Sequence, residues 1–251
     1  HYIENTLKKN EIGTSLVTYD DVYRTGIQLK NRVTDGSDPY APYYRKGSAA
    51  SHITVSEIDA INLADVELVH VTGIPPALSQ SAREATFRLM DRAKENGIFI
   101  TFDPNLRPAL WEDEETMCTV INQLAAKADV VLPGIGECKI LAGTEDKKEA
   151  ADFYQKLGVK TVIIKDGSKG AYVQNADENY NVAGYKVEKV VDTVGAGDGF
   201  AVGVLSGILE GLDLKTSVKR GNAIGAIQVM NIGDNEGLPT PEKLKAFQEN
   251  N

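Results

Sequence analysis

The sequence predicts an α/β protein built on a mainly parallel sheet with helices on both faces. Three observations point there. From about residue 52 onward, short β-branched runs alternate with longer helical stretches. Gly97 and Gly158 stand where helices should stop, and each is followed at once by a strand-like run. The 251 residues, 42% apolar and 25% charged, suffice for one large core or two modest domains.

The elements follow in order. Strands are expected over 68–71, 98–102, 130–132 and 162–165, and helices over 79–96, 114–126, 147–157, 197–210 and 215–231. Residues 11–50 read differently. Ile27, Leu29 and Val33 alternate with polar residues, which predicts a strand with one wet face. Thr34-Asp35-Gly36-Ser37-Asp38-Pro39 is turn chemistry, and 40–45 is again extended. The expected organisation is a small β-rich sheet over 11–50, flanked by core residues 1–10, and an α/β core over 51–251. In such sheets ligands gather at the carboxyl ends of the strands, so chemistry is sought just after each one.

Charge and composition exclude several roles. With 27 Lys+Arg against 36 Asp+Glu the formal charge is −9, which disfavours binding to a nucleic-acid backbone. No stretch approaches the ~20 apolar residues of a membrane span, and no signal-peptide pattern is visible. Cys118 and Cys138 cannot build a disulfide framework, so a reducing cytoplasm is expected, with both thiols acting as small apolar groups. His1, His52 and His70 are scattered and form no zinc pattern.

The segment richest in chemistry runs from Val191 to Gly203, VDTVGAGDGFAVG. Small residues at Gly195, Ala196 and Gly197 let backbone N–H groups approach a ligand, and an apolar helix follows at once. A tight turn opening a helix presents unpaired donors and the positive end of the helix dipole, a site for phosphate. Asp198 then stands in the first turn beside the anion; the plainer alternative is a carboxylate that only stabilises the helix N-terminus. The segment is neither a Gly-Lys-Ser/Thr phosphate loop nor a Gly-x-Gly-x-x-Gly dinucleotide turn.

Asp192-Thr193-x-Gly-Ala-Gly-Asp, with the small-residue helix behind it, resembles the C-terminal signature of the ribokinase-like (pfkB) carbohydrate kinases. The resemblance implies a ribokinase-like fold with a β lid, Gly195 to Asp198 as the anion hole for the transferring phosphate, and Asp198 as the base that deprotonates the attacking sugar hydroxyl. Tyr43-Tyr44-Arg45-Lys46-Gly47-Ser48, Phe102-Asp103-Pro104-Asn105-Leu106-Arg107-Pro108 and Gly233-Asp234-Asn235-Glu236-Gly237 look like the 2-keto-3-deoxygluconate kinase branch. That implies an acidic keto-sugar held by Tyr43, Arg45, Arg107 and Asp234. The chemistry of the residues agrees, since two planar guanidinium groups suit a carboxylate better than a neutral sugar. Read singly, Arg45 can equally be a solvated lid charge, Arg107 a salt-bridge residue, and Asp234 a turn aspartate.

Nucleotide contacts carried over from the family are Lys165, Gly167 and Gly170 in a strand–turn–strand, Asn222 on a helix as an adenine-pocket residue, and Asn105 toward the phosphates; a plain hairpin explains the glycines nearly as well. Leu132-Pro133-Gly134-Ile135-Gly136-Glu137 aligns with an Asn-x-x-Glu motif in which Gly134 replaces the asparagine. Glu137 is expected to organise Mg²⁺ around the phosphates, so ATP and Mg²⁺ are the implied cofactors. The family begins with a strand, a Gly-Gly sugar loop and a helix, and the sequence from His1 onward starts after that segment. A lid of this kind is also expected to pair with another subunit. Other readings are another sugar kinase of the same family, such as a fructokinase, or a sugar- or nucleotide-binding fragment without catalysis.

Overall fold

The computed structural model describes residues 1–29 and 42–251. In chain order the elements are α1 (Tyr2–Lys9), β1 (Ile27–Gln28), β2 (Tyr43–Tyr44), α2 (Val55–Asp59), β3 (Leu68–Thr72), α3 (Pro75–Leu78), α4 (Gln80–Glu95), β4 (Phe99–Asp103), α5 (Glu114–Ala125), β5 (Val130–Val131), α6 (Ile135–Leu141), α7 (Lys147–Lys156), β6 (Thr161–Lys165), β7 (Gly170–Gln174), β8 (Asn179–Ala183), α8 (Ala196–Leu209), α9 (Leu214–Val229) and α10 (Pro241–Glu249). The expected strands and long helices are all present. The helix expected over 79–96 is α4, and the short α3 that precedes it was not expected. Ser79 turns extended, and its hydroxyl accepts from the Ala82 N–H at 3.0 Å, which starts α4 afresh. Asp113, Asp146 and Asp213 cap α5, α7 and α9 in the same way.

The main sheet has the order β3-β4-β5-β6-β7-β8. β3 to β6 run parallel, and β7 and β8 complete it antiparallel. Period-two alternation sends successive side chains to opposite faces. Val131, Val162 and Ile164 pack with Phe102, Met117, Ile121 and Tyr154 under α4, α5 and α7. Val130, Leu132 and Ile163 pack with Phe200, Val204 and Val218 under α8 and α9. The same alternation in β4 buries Ile100 and Phe102 in the first layer and turns Thr101 and Asp103 toward the second. A polar column therefore lies on the α8 side of the sheet, aimed at the carboxyl ends of the strands.

β1 and β2 form a separate two-stranded antiparallel sheet with Gln28 opposite Tyr43. Most of the strand expected over 27–33 and all of the turn at 34–39 lie outside the described residues. In the described part the polarity is the reverse of a surface strand with its apolar side packed inward. Ile27 and Leu29 are 57% and 56% exposed, whereas Gln28 is half-buried. The wet face of this strand is the face turned to the cleft. Residues 1–10, grouped with the core from sequence, form α1, which has no buried residue.

Candidate active site

Two adjoining clefts open at the carboxyl end of the parallel strands. One, of about 490 Å³, lies between the lid sheet, the loops after β3 and β4, and the start of α8. The other, of about 330 Å³, lies between the β6–β7 turn, the segment after β8, and α8 and α9. Every residue singled out from the sequence lines one or both. Tyr43, Arg45, Asn105, Arg107, Glu137, Gly195, Asp198 and Asp234 face the first cleft, and Gly167, Gly170, Ala196 and Asn222 the second. Lys165 and Gly197 face both.

The Gly-Ala-Gly-Asp turn has the geometry its residues require. Gly195 adopts φ +78°, a left-handed conformation open to glycine at little cost, and α8 starts at the next residue. A side chain at 195 would stand 2.2 Å from the Asp234 carbonyl, so only glycine lets the two loops meet. The Gly199 N–H closes the first helical turn on the Gly195 carbonyl at 2.8 Å. Of the donors ahead of it, the Ala196 N–H bonds the Thr193 carbonyl at 3.4 Å, while those of Gly197 and Asp198 have no acceptor within the helix, and both residues line the clefts. Asp198 stands there with its carboxyl pKa raised, first by burial and then by Asp103, against the opposing pull of Lys165, Arg107 and His70.

The lid supplies the opposite wall. The Arg45 guanidinium lies over the Tyr43 ring, 4.8 Å from its centroid, and donates to Gln28 Oε1 at 2.7 Å. Burial lowers its pKa, with repulsion from Arg107 acting the same way, while Tyr43 and Asp234 act against it. Arg107 Nη1 donates to the Leu106 carbonyl at 2.8 Å, and its buried Nε has no hydrogen-bond partner. The loops carrying these residues are held close at one point. The Gly73 N–H donates to the Asp103 carbonyl at 3.1 Å, and a Cβ on Gly73 would sit 2.0 Å from the Pro104 carbonyl.

Glu137 is half-buried, and its two oxygens accept from the Leu106 N–H at 2.8 Å and the Gly134 N–H at 2.7 Å. It ties the start of α6 to the loop after β4. Burial raises its pKa, Lys165 opposes the rise, and Asp103 adds to it. Asn222 differs from a free adenine contact. Its Nδ2 donates to the carbonyls of Val182 and Ala183, both at 3.1 Å, so it fastens α9 to the end of β8 while lining the second cleft. Asn105 adopts φ +42° and turns the chain sharply after β4.

Three residues in or beside the first cleft had no role assigned from the sequence. Asp103 Oδ2 accepts from Lys165 Nζ at 2.5 Å. Gln28 orients Arg45. His70 Nδ1 lies 2.8 Å from Thr101 Oγ1, with its pKa held down chiefly by burial. Asp103 had a signal, since it ends a strand, but its partner lies 62 residues away.

Among the described residues no three His, Cys, Asp or Glu gather as a metal cage. The donor set still fits Mg²⁺, which binds through phosphate oxygens, waters and one or two carboxylates. Glu137 keeps lone pairs beyond its two backbone bonds.

The chain matches the pfkB family carbohydrate kinases over residues 1–241. It is 47% identical over 247 residues to the 2-dehydro-3-deoxygluconokinase of Bacillus subtilis, covering 98% of this chain and 76% of that protein. A crystal structure of a PfkB protein from Polaromonas sp. superposes with a TM-score of 0.87 at 43% identity, covering 98% of this chain and 78% of that one. A fructokinase from Vibrio cholerae, bound to fructose, ADP and a calcium ion, gives a TM-score of 0.88 at 28% identity, covering 98% and 80%.

Proposed function

The chain belongs to the pfkB family of carbohydrate kinases, and from that premise we propose that it transfers the γ-phosphate of ATP to the 6-hydroxyl of 2-keto-3-deoxygluconate (2-dehydro-3-deoxygluconate). The observation that carries this reading is the grouping of Arg45, Arg107 and Tyr43 in the cleft that also holds Asp198. A neutral sugar has less need of two guanidinium groups, whereas a carboxylate takes planar donors well. The name of the B. subtilis relative supports the same substrate.

Phosphoryl transfer depends on alignment and charge stabilisation more than on covalent chemistry by the protein. Arg45, Arg107, Tyr43 and Asp234 orient the acid sugar with its terminal hydroxyl toward Asp198. Asp198, its basicity raised by burial, takes the hydroxyl proton as that oxygen attacks in line. The N–H groups at the start of α8 receive the negative charge of the transferring group. The second cleft, bounded by Gly167, Gly170 and Asn222, takes the nucleoside. Glu137 would hold Mg²⁺ through water, and the ion supplies charge neutralisation at the β/γ oxygens. The lid excludes water, which keeps the phosphoryl group from hydrolysis. ADP and fructose bound in the V. cholerae fructokinase support placing a donor and an acceptor side by side.

The exposed apolar residues of the lid, Ile27, Leu29 and Tyr44, support pairing with a second lid, giving a homo-oligomer. Free Cys118 and Cys138 support a reducing cytoplasm; burial pushes the Cys138 thiol up to about 12. Among the described residues no helix is long and apolar enough to cross a membrane.

The decisive experiment is coupled ADP release with 2-keto-3-deoxygluconate as sole acceptor, beside fructose and ribose. Preference for the acid by kcat/KM is expected; a preference for fructose would replace this substrate with that of a fructokinase.

A further inference from the structure

Among the described residues the two clefts share Lys165, Thr193 and Gly197, and of these Lys165 alone is charged. From that position, and resting on the phosphotransfer reading above, we propose that Lys165 is a catalytic residue whose ammonium leaves Asp103 to meet the transferring phosphoryl group, and that Asp103 is the positioning residue that holds it between turnovers.

The placement follows from the sheet. Lys165 ends β6 and Asp103 ends β4, with β5 between them. Two strand spacings separate their backbones by roughly 9–10 Å. β5 stops at Val131, and the chain turns away through Pro133, whose carbonyl accepts the Lys165 N–H at 2.8 Å. The extended lysine side chain crosses the gap above β5 and reaches Asp103 Oδ2 at 2.5 Å. There its Nζ also lies 3.7 Å from where a Cβ on Gly197 would stand, against the first turn of α8. A short swing of the four-carbon stem therefore takes the ammonium from the carboxylate to any anion seated on that turn.

The electrostatics suit an exchange rather than a fixed strut. The side chain of Asp103 is 3% exposed and that of Lys165 18%, so the pair has one sealed partner and one that opens to the clefts. Burial alone would drive the ammonium toward neutrality, but Asp103, Glu137 and Asp198 outweigh it and hold the pKa above the ordinary lysine value. Asp103, Glu137 and Asp198 repel a triphosphate unless cations of the cleft, Lys165 and Arg107 among them, offset them. In the transfer itself the bond from the sugar oxygen to phosphorus forms as the bond to the β-phosphate's bridging oxygen breaks. Its electron pair leaves with ADP, and the hydroxyl proton goes to Asp198. Lys165 moves no proton; its N–H donors follow the equatorial oxygens as their charge is redistributed.

The test compares Lys165→Met, Asp103→Asn and the double variant in the full chain, with steady-state ADP release and equilibrium ATP binding by calorimetry. Lys165→Met is expected to lose about 10²–10³ in kcat, the range found for removing a transition-state donor, while KM for the sugar stays within about threefold. Asp103→Asn is expected to bind ATP about three- to tenfold tighter than wild type, because the ammonium no longer leaves a partner to reach it. Should Lys165→Met fail to fold, the double variant, which buries no lone charge, carries the same expected loss in kcat. Wild-type-like kcat in either lysine variant, or weaker ATP binding in Asp103→Asn, overturns the proposal. A wild-type protein active only on another sugar overturns the substrate assignment and leaves the lysine comparison readable. One that releases ADP with no acceptor overturns both.

Discussion

Replacing Gly195 with alanine separates backbone strain from displacement of the anion turn, because Gly211 provides a matched control. Both glycines are left-handed, at φ +78° and +74°. A Cβ on Gly211 meets nothing within 4 Å, so Gly211→Ala carries only the left-handed penalty, about 1–2 kcal/mol. In a domain of this size that lowers Tm by roughly 2–8 °C. A Cβ on Gly195 would stand 2.2 Å from the Asp234 carbonyl oxygen, 3.0 Å from its carbon and 3.1 Å from Gln228 Nε2. Ordinary carbon–oxygen contact needs about 3.5 Å, so the turn or the Asp234 loop has to yield by roughly 1 Å. A shift of that size in groups that align the reacting atoms costs on the order of 10²-fold in rate. The expected outcome is a modest melting shift with wild-type kcat for Gly211→Ala, and a larger shift with kcat about 10²-fold down for Gly195→Ala. Differential scanning fluorimetry and coupled ADP release at saturating ATP and acid sugar read both. Were Gly195→Ala to keep kcat within about threefold of wild type, the turn would not be the place where charge develops.

Further outcomes follow from the same geometry. Asp198→Asn should reduce kcat by several orders of magnitude yet melt higher than wild type at neutral pH. The raised carboxyl pKa means the native state disfavours the charge, a destabilisation present above that pKa and removed as pH falls through it; equal melting at pH 7 would contradict this. For the same reason kcat/KM should fall on the acid side with a midpoint above the ordinary aspartate range, and a pH–rate profile that stays flat down to pH 4 would remove Asp198 as the base. Arg107→Met should raise KM for the acid sugar by about 10–10², the worth of a charged hydrogen bond, with KM for ATP little changed. Gln28→Leu frees the Arg45 guanidinium from its 2.7 Å partner and should raise KM for the acid about tenfold, measured against fructose as the neutral control.

How much of this was legible in the sequence depended on whether the relevant partners were close in the chain. The Gly195–Asp198 turn was readable because a left-handed glycine, a small residue and a helix start are neighbours, and local sterics decide them. The helix ends at Gly97 and Gly158 were readable for the same reason. The Asp103–Lys165 pair was not, since it exists only once β4, β5 and β6 align and β5 stops short. The start of the helix expected over 79–96 was readable, by contrast, because Ser79 caps α4 locally, whereas the short α3 before it was not. The lid strand was located but its facing was not. Alternation shows that Ile27 and Gln28 point opposite ways, and only the cleft beneath decides that the amide turns inward. Asn222 was placed on the right wall, but its amide bonds to β8 require the fold to be seen.

The contact between α8 and α9 has a mechanical consequence. A side-chain carbon on Gly203 would fall 2.5 Å from Gly221 Cα, and one on Gly221 would fall 2.8 Å from the Phe200 carbonyl. Where Gly203 meets Gly221 backbone lies against backbone with no side chain between, so at that crossing neither helix can move far without the other. The rod that begins at Ala196 and the rod that bears Asn222 are thus coupled at this crossing as one stiff plank.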